Sequence, residues 1–180
     1  MSRVILNAKV NTSGIEKLNI NQKFFIASSH QSMFETFAYN YFIPNGFFIL
    51  KKELMNIPLF GLYLKKLNCV SIDRGKTTKE NLNFSDKVIN NINNGKTLII
   101  FPQGTRVPHN ERVPIKKGVR RIYENLKISC LPIKLNTGKV WPKNSFLKYP
   151  GEINFIFKDI IEPNLTGDDF IKALEFALYE

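Results

Sequence analysis

The chain is poor in several residue types at once. Among 180 residues there are two cysteines and two histidines, and 15 acidic groups stand against 26 basic ones. Two cysteines cannot build a disulfide framework. Cys69 and Cys130 both sit in apolar, strand-like runs (Asn-Cys-Val-Ser-Ile and Ser-Cys-Leu-Pro-Ile), the usual setting of small core filler. No cysteine or histidine falls at metal-ligand spacing, so no structural zinc, and no metal site, is expected. A reducing compartment is the default for such a chain. No uninterrupted run of about 18 apolar residues occurs, so nothing in the sequence needs to span a bilayer. The opening Met1-Ser2-Arg3-Val4-Ile5-Leu6-Asn7 is too short and too polar for a secretory signal. The expectation is a soluble or surface-bound protein without a separate transmembrane domain.

The shortage of acid leaves a formal charge of +11 and a pI near 9.7, which point to an anionic partner. Nucleic acid, anionic lipid and phosphorylated small molecules all satisfy that sign. The bland alternative is a compositional bias, since Lys, Asn and Ile are abundant throughout. With 43% hydrophobic and 23% charged residues the chain can bury a core, and its length suits one domain over 1–180.

Short apolar runs alternate with helical patterns. Strands are expected at 24–28, 47–50, 69–73, 97–101, 130–135 and 153–158. Helices are expected at 33–42, 53–66, 79–93, 117–126 and 167–178, the third closed by Gly95. Near-continuous apolar strands separated by helices imply an α/β fold: a mixed, largely parallel central sheet flanked by helices. Ligands in such folds gather beyond the carboxyl ends of the strands. The loops after 24–28, 69–73 and 97–101 are unusual, and all three lie at such ends.

The first of these loops reads Ser28-Ser29-His30-Gln31-Ser32-Met33-Phe34-Glu35. Ser32 and Glu35 make a capping box, so Glu35 has a structural reading as the group that satisfies the Ser32 N–H. His30 lies two residues ahead of the cap, where it is either a polar loop residue or a base. An imidazole titrates near neutrality, and a nearby carboxylate can orient it and stabilise its cation. If His30 precedes the helix and Glu35 lies in its first turn, the two can meet. No Gly-x-Ser-x-Gly elbow accompanies them, so a dyad that activates a substrate hydroxyl fits better than a serine hydrolase.

The other two loops carry arginine. Phe101-Pro102-Gln103-Gly104-Thr105-Arg106 is a turn that exposes backbone N–H groups beside a guanidinium, a plausible anion site. Asp73-Arg74-Gly75-Lys76 offers a second arginine at the same sheet edge. Lys116-Lys117-Gly118 precedes a helix, whose amino end favours anions. Each cluster alone reads equally well as solvated surface. Together with one histidine they form a phosphate-binding constellation.

In order along the chain, these blocks (SSHQSMFET, IPLFGLYLKKLNCVSIDRGK, FPQGTR, IKKGV and LPIKL) resemble the glycerolipid acyltransferase family, above all its bacterial 1-acyl-sn-glycerol-3-phosphate acyltransferases, over about residues 10–160. The resemblance implies that His30 and Glu35 fill the family's His-x4-Asp block. His30 would deprotonate the free hydroxyl of a lysophospholipid, which attacks the thioester of acyl-CoA or acyl-carrier protein directly. No cofactor beyond that co-substrate is implied. Arg74 would grip the acceptor phosphate, and Gln103, Gly104, Thr105, Arg106 and Lys117 would complete acceptor binding. Leu131-Pro132-Ile133 would shape the acyl channel. Glu35 stands where the family has Asp, and Gln103 where it has Glu. The second change removes a charge and bears on acceptor identity more than on reaction type.

The implied partners are a lysophospholipid acceptor, an acyl donor and an anionic membrane surface, with the protein peripheral on the cytoplasmic face of the cell membrane. Residues 47–67 join bulky apolar groups to four lysines, an interfacial profile, although a buried helix with solvated flanks has the same composition. Pro58 and Gly61 predict a bent or broken element there. Within the family, glycerol-3-phosphate or another lysolipid is the alternative acceptor. Outside it, the charge and 12% aromatics allow a nucleic-acid-binding module, but no such motif is present and no nucleic-acid partner is expected.

Overall fold

A computed structural model describes residues 7–19, 21–73 and 84–180. Seven strands form one sheet: β1 (Ala8–Ser13), β2 (Phe24–Ser28), β3 (Gly46–Lys51), β4 (Val70–Ile72), β5 (Thr97–Ile100), β6 (Ser129–Leu135) and β7 (Gly151–Phe157). Their spatial order is β1-β7-β6-β2-β5-β3-β4. Every neighbouring pair is parallel except β6 with β7. The fold is thus mixed α/β with a largely parallel sheet, as the alternation of apolar runs and helical patterns predicts.

The two-residue period of the strands sorts their side chains onto opposite faces. Phe25, Ala27, Phe47, Leu98, Ile100 and Cys130 point to one face. There they meet Val88 and Ile92 of α3 (Phe84–Asn93), Val119 and Tyr123 of α4 (Lys117–Leu126), and Phe170, Leu174 and Leu178 of α6 (Gly167–Tyr179). Ile26, Phe48, Ile99, Leu131 and Ile133 point the other way, to Tyr39 of α1 (Phe34–Phe42) and Leu64 of α2 (Phe60–Lys66). Because both faces of β2 and β5 are covered, these strands carry no polar alternation. A further helical turn, α5 (Thr137–Val140), follows β6.

The single helix expected over 53–66 is two elements: a 3-10 turn at Lys52–Asn56 and then α2. Pro58 and Leu59 separate them, and Leu59 adopts a φ of +63° that an L side chain rarely accepts. Gly61 is required where the pieces cross, since a Cβ there would lie 2.1 Å from the Met55 carbonyl oxygen. Of the helix expected at 79–93, residues 84–93 are described, and Gly95, at φ +77°, closes it. β1 was not anticipated. Its sequence, Ala-Lys-Val-Asn-Thr-Ser, is polar because it is an edge strand held on one side only, by β7, with Asn11 Nδ2 donating to Asn154 Oδ1 at 3.0 Å.

Candidate active site

β2 and β5 are parallel neighbours, so the loops that leave their carboxyl ends meet. The His30 ring stacks on the Phe101 ring at 3.9 Å between centroids and 13° between planes. The Val107 N–H donates to the His30 carbonyl at 2.8 Å, which fixes the backbone of the first loop to the second.

Glu35 is fully buried in the first turn of α1. Its Oε1 accepts from the backbone N–H of Gln31 at 2.6 Å and of Ser32 at 2.7 Å, and it pairs with His30 Nδ1 at 2.9 Å. Its Oε2 accepts from the Thr137 hydroxyl at 2.8 Å. The capping reading of Glu35 therefore holds, with Ser32 Oγ accepting from the Phe34 N–H in return at 3.1 Å. The same oxygen that caps the helix also faces the imidazole. A buried carboxylate needs this density of donors. With Nδ1 donating to Glu35, the lone pair of His30 is on Nε2. The His30 side chain keeps 18% of its surface exposed, enough to reach a bound molecule.

Among the described residues, the Ser28 and Tyr39 hydroxyls are hydrogen-bonded and the Cys69 and Cys130 thiols are inert. Ser28 Oγ donates to the Ser29 carbonyl and lies 2.5 Å from the Tyr39 hydroxyl. Burial raises the Tyr39 phenol above its ordinary range, and the nearby Glu35 carboxylate adds to this, while the Ser28 hydrogen bond opposes it. Burial also pushes the Cys69 thiol up to about 11 and the Cys130 thiol well above its usual value. Both thiols stay protonated at neutral pH and are poor nucleophiles. The arrangement supplies an oriented base.

Gln103 is buried beside this base. Its Nε2 lies 3.5 Å from the Tyr179 hydroxyl, and its Oε1 is buried with no hydrogen-bond partner among the described residues. Gln103 and His30 line one polar cavity of about 270 Å³, together with Arg112 and Lys134. Burial holds the Lys134 ammonium below the ordinary lysine range, and the Lys158 and Arg112 charges lower it further, against a smaller upward pull from Glu180.

A second cavity of about 590 Å³ is largely apolar. Ile49, Val88, Ile100, Val119, Ile122 and Leu126 form its walls, and Phe101, Pro102, Gly104 and Lys116 border it. The 101–106 loop thus runs between the two cavities. Gly104 turns at φ +71°, Thr105 is exposed and Arg106 is half-buried. Lys143 Nζ donates to the Arg106 carbonyl at 3.1 Å and reaches Thr105 Oγ1 at 3.5 Å, an added cation that its distance in sequence had concealed. Lys117 is exposed as the first residue of α4, while its neighbours Lys116 and Gly118 are the ones that border the apolar cavity. Arg74 lies outside the described residues. Leu131-Pro132-Ile133 does not line the apolar cavity: all three are buried, with Leu131 and Ile133 packed on the α1–α2 face.

The Acyltransferase family model matches residues 9–136, more than two thirds of the chain. This chain belongs to the acyltransferase family. A 1-acyl-sn-glycerol-3-phosphate acyltransferase of Pseudomonas aeruginosa is 32% identical to it over 175 residues, covering 97% of this chain and 67% of the relative. The enzyme of that name from Saccharomyces cerevisiae is 30% identical, covering 97% of this chain and 58% of the relative. The crystal structure of the 1-acyl-sn-glycerophosphate acyltransferase PlsC of Thermotoga maritima superimposes with a TM-score of 0.81 at 26% identity, over 96% of this chain and 70% of that one. The chain therefore spans between about half and two thirds of the length of such relatives. The match to the family model contains His30, Glu35 and the whole 101–106 loop, so this acyltransferase carries both cavities' shared wall inside its family region. Among the described residues no helix is long and apolar enough to cross a membrane.

Proposed function

We propose that this acyltransferase transfers a fatty acyl group from a thioester to the free hydroxyl of 1-acyl-glycerol-3-phosphate, giving phosphatidic acid for phospholipid biosynthesis. The observation that carries the reading is the His30–Glu35 pair at 2.9 Å, a carboxylate-oriented imidazole at the end of β2. His30 Nε2 takes the acceptor's hydroxyl proton as that oxygen attacks the thioester carbonyl. The C–O bond forms, the C–S bond breaks, and the imidazolium returns its proton to the departing thiolate. Glu35 stabilises the cation in between. The donor is acyl-CoA or acyl-carrier protein.

Arg74, Arg106 and Lys117, with Gly104 and Thr105, hold the acceptor's phosphate and glycerol. Gln103 Oε1, buried and without a hydrogen-bond partner among the described residues, is an acceptor for a donor group on the substrate. The apolar cavity houses a fatty chain. The +11 charge suits both a phosphorylated lipid and the anionic surface in which it resides.

The side of the protein bearing α1 and α2 faces that surface. Met33, Phe37 and Tyr41 are exposed along one line of α1, and Leu59 and Leu62 are exposed at α2. Phe37 joins the two helices through Phe60 and Tyr63, and Lys65 and Lys66 follow in the last turn of α2. This is the apolar-plus-lysine profile of a peripheral protein on the cytoplasmic face of the membrane.

The test is thiol release by the pure protein with acyl-CoA against a panel of acceptors: 1-acyl-glycerol-3-phosphate, glycerol-3-phosphate and uncharged lysolipids. The first should be acylated at least tenfold faster than the others. Preference for an uncharged lysolipid would overturn the phosphate assignment, and preference for glycerol-3-phosphate would move the chain to that acceptor.

A further inference from the structure

We infer that Thr137 is a positioning residue for acyl transfer, acting through Glu35 from outside the five sequence blocks. The inference rests on the proposed role of the His30–Glu35 pair. Thr137 is fully buried, and its hydroxyl donates to Glu35 Oε2 at 2.8 Å. The other carboxylate oxygen is already committed to two backbone N–H groups and the His30 ring. Those three contacts fix Oε1 but leave the carboxyl plane free to swing about it. A donor on Oε2, 102 residues away in sequence and approaching from the first residue of α5, removes that freedom. Hydrogen bonds to a buried charge are among the strongest a side chain makes, so one oriented hydroxyl suffices to hold the plane.

The turn that carries Thr137 is itself tied to the loop that carries His30. Gln31 Nε2 donates to the Leu135 carbonyl at 2.8 Å, and Gln31 Oε1 accepts from the Gly138 N–H at 3.1 Å. The side chain of His30's neighbour thus grips the backbone on both sides of Thr137. Gly138 permits this closeness, because a Cβ there would stand 3.1 Å from Gln31 Cβ and 3.3 Å from Gln31 Oε1. Glu35 is one methylene longer than aspartate, and that extra length carries more torsional freedom to be restrained. Thr137 sets the plane of the carboxylate, and the carboxylate sets the imidazole.

The experiment compares Thr137→Val, which keeps shape and loses the donor, with Thr137→Ser, which keeps the donor. Turnover and saturation are measured for donor and acceptor, alongside thermal melting. Thr137→Val should lower kcat about 10- to 100-fold with both KM values within about twofold, and Thr137→Ser should restore most of the rate. In a Glu35→Gln background, Thr137→Val should cost less than threefold further, since it acts only through that carboxylate. A Thr137→Val enzyme with wild-type kcat would overturn the inference. So would Thr137→Ser failing as badly as Thr137→Val, or a full additional loss on top of Glu35→Gln. If Thr137→Val does not fold, the Ser variant decides: a rate near wild type supports the hydroxyl, and a tenfold loss from a folded Ser variant refutes it. Failure here leaves the base assignment standing provided His30→Ala is inactive. An active His30→Ala would bring down the underlying reading instead.

Discussion

Replacing Glu35 by glutamine separates the two duties of that side chain. As a helix cap, Glu35 accepts from the Gln31 and Ser32 N–H groups, and a glutamine carbonyl can do the same. Its amide can then donate to Thr137 Oγ1, which is free to act as acceptor. The fold should lose about 1–3 kcal/mol, because the Thr137 hydroxyl, which donates to Oε2, is the only buried donor that loses its acceptor. As an electrostatic partner, the carboxylate faces an imidazole whose Nδ1 is 2.9 Å away. Unit charges about 4 Å apart interact by about 4 kcal/mol at an effective dielectric near 20. Glutamine keeps a hydrogen bond but forfeits most of that term, which falls on the imidazolium formed during transfer. The expected loss in kcat is about 10²- to 10³-fold, with KM little changed. Glu35→Ala is the contrasting control: it orphans two buried N–H groups, at about 1–3 kcal/mol each, and should lower the melting temperature visibly. Steady-state thiol release and a melting curve on each variant suffice. A Glu35→Gln enzyme within threefold of wild-type kcat would refute the claim that the negative charge of Glu35 serves catalysis.

Two other outcomes follow from the same geometry. Val119→Trp places an indole in the wall of the apolar cavity. If a fatty chain lies there, excluding two methylenes costs about 1.6 kcal/mol, so kcat/KM for the longest chain should fall about 15-fold while short chains are spared; a uniform change across chain lengths would count against that occupant. Alkylation should discriminate thiol from imidazole chemistry: with Cys69 raised to about 11, its thiolate is scarce at pH 7 and appears only as the pH climbs towards that value. Iodoacetamide at pH 7 should therefore leave turnover intact, and the labelling rate at Cys69 should rise about tenfold per pH unit up to pH 10.

Much of the site was legible because its signals are local. The capping box Ser32–Glu35 begins two residues after His30, and the Pro-x-Gly turn announces the 101–106 loop within a single window. The central strands were legible for the same reason, being continuous apolar runs. What the sequence concealed is non-local or edge-like. Thr137 meets Glu35 across 102 residues, and nothing in Asn-Thr-Gly-Lys marks that threonine among many polar ones. Lys143 joins the 101–106 loop from 37 residues away. β1 is polar because only one side of it is paired. The channel role of Leu131-Pro132-Ile133 came from the family resemblance, and the sheet face this run occupies is fixed by pairing with β2. Pro58 and Gly61, by contrast, announced the break before α2, since proline lacks an N–H and clashes in a helix interior and glycine weakens a helix through its backbone entropy.

The proposed acyl transfer depends on His30 as the group that removes the acceptor's proton. The direct measurement is phosphatidic acid formed by wild type and by His30→Gln, under identical saturating donor and 1-acyl-glycerol-3-phosphate, with product counted by mass. The expected result is a loss of at least about 10³-fold in the variant with an unchanged melting temperature. A folded His30→Gln enzyme making phosphatidic acid within tenfold of the wild-type rate would contradict it.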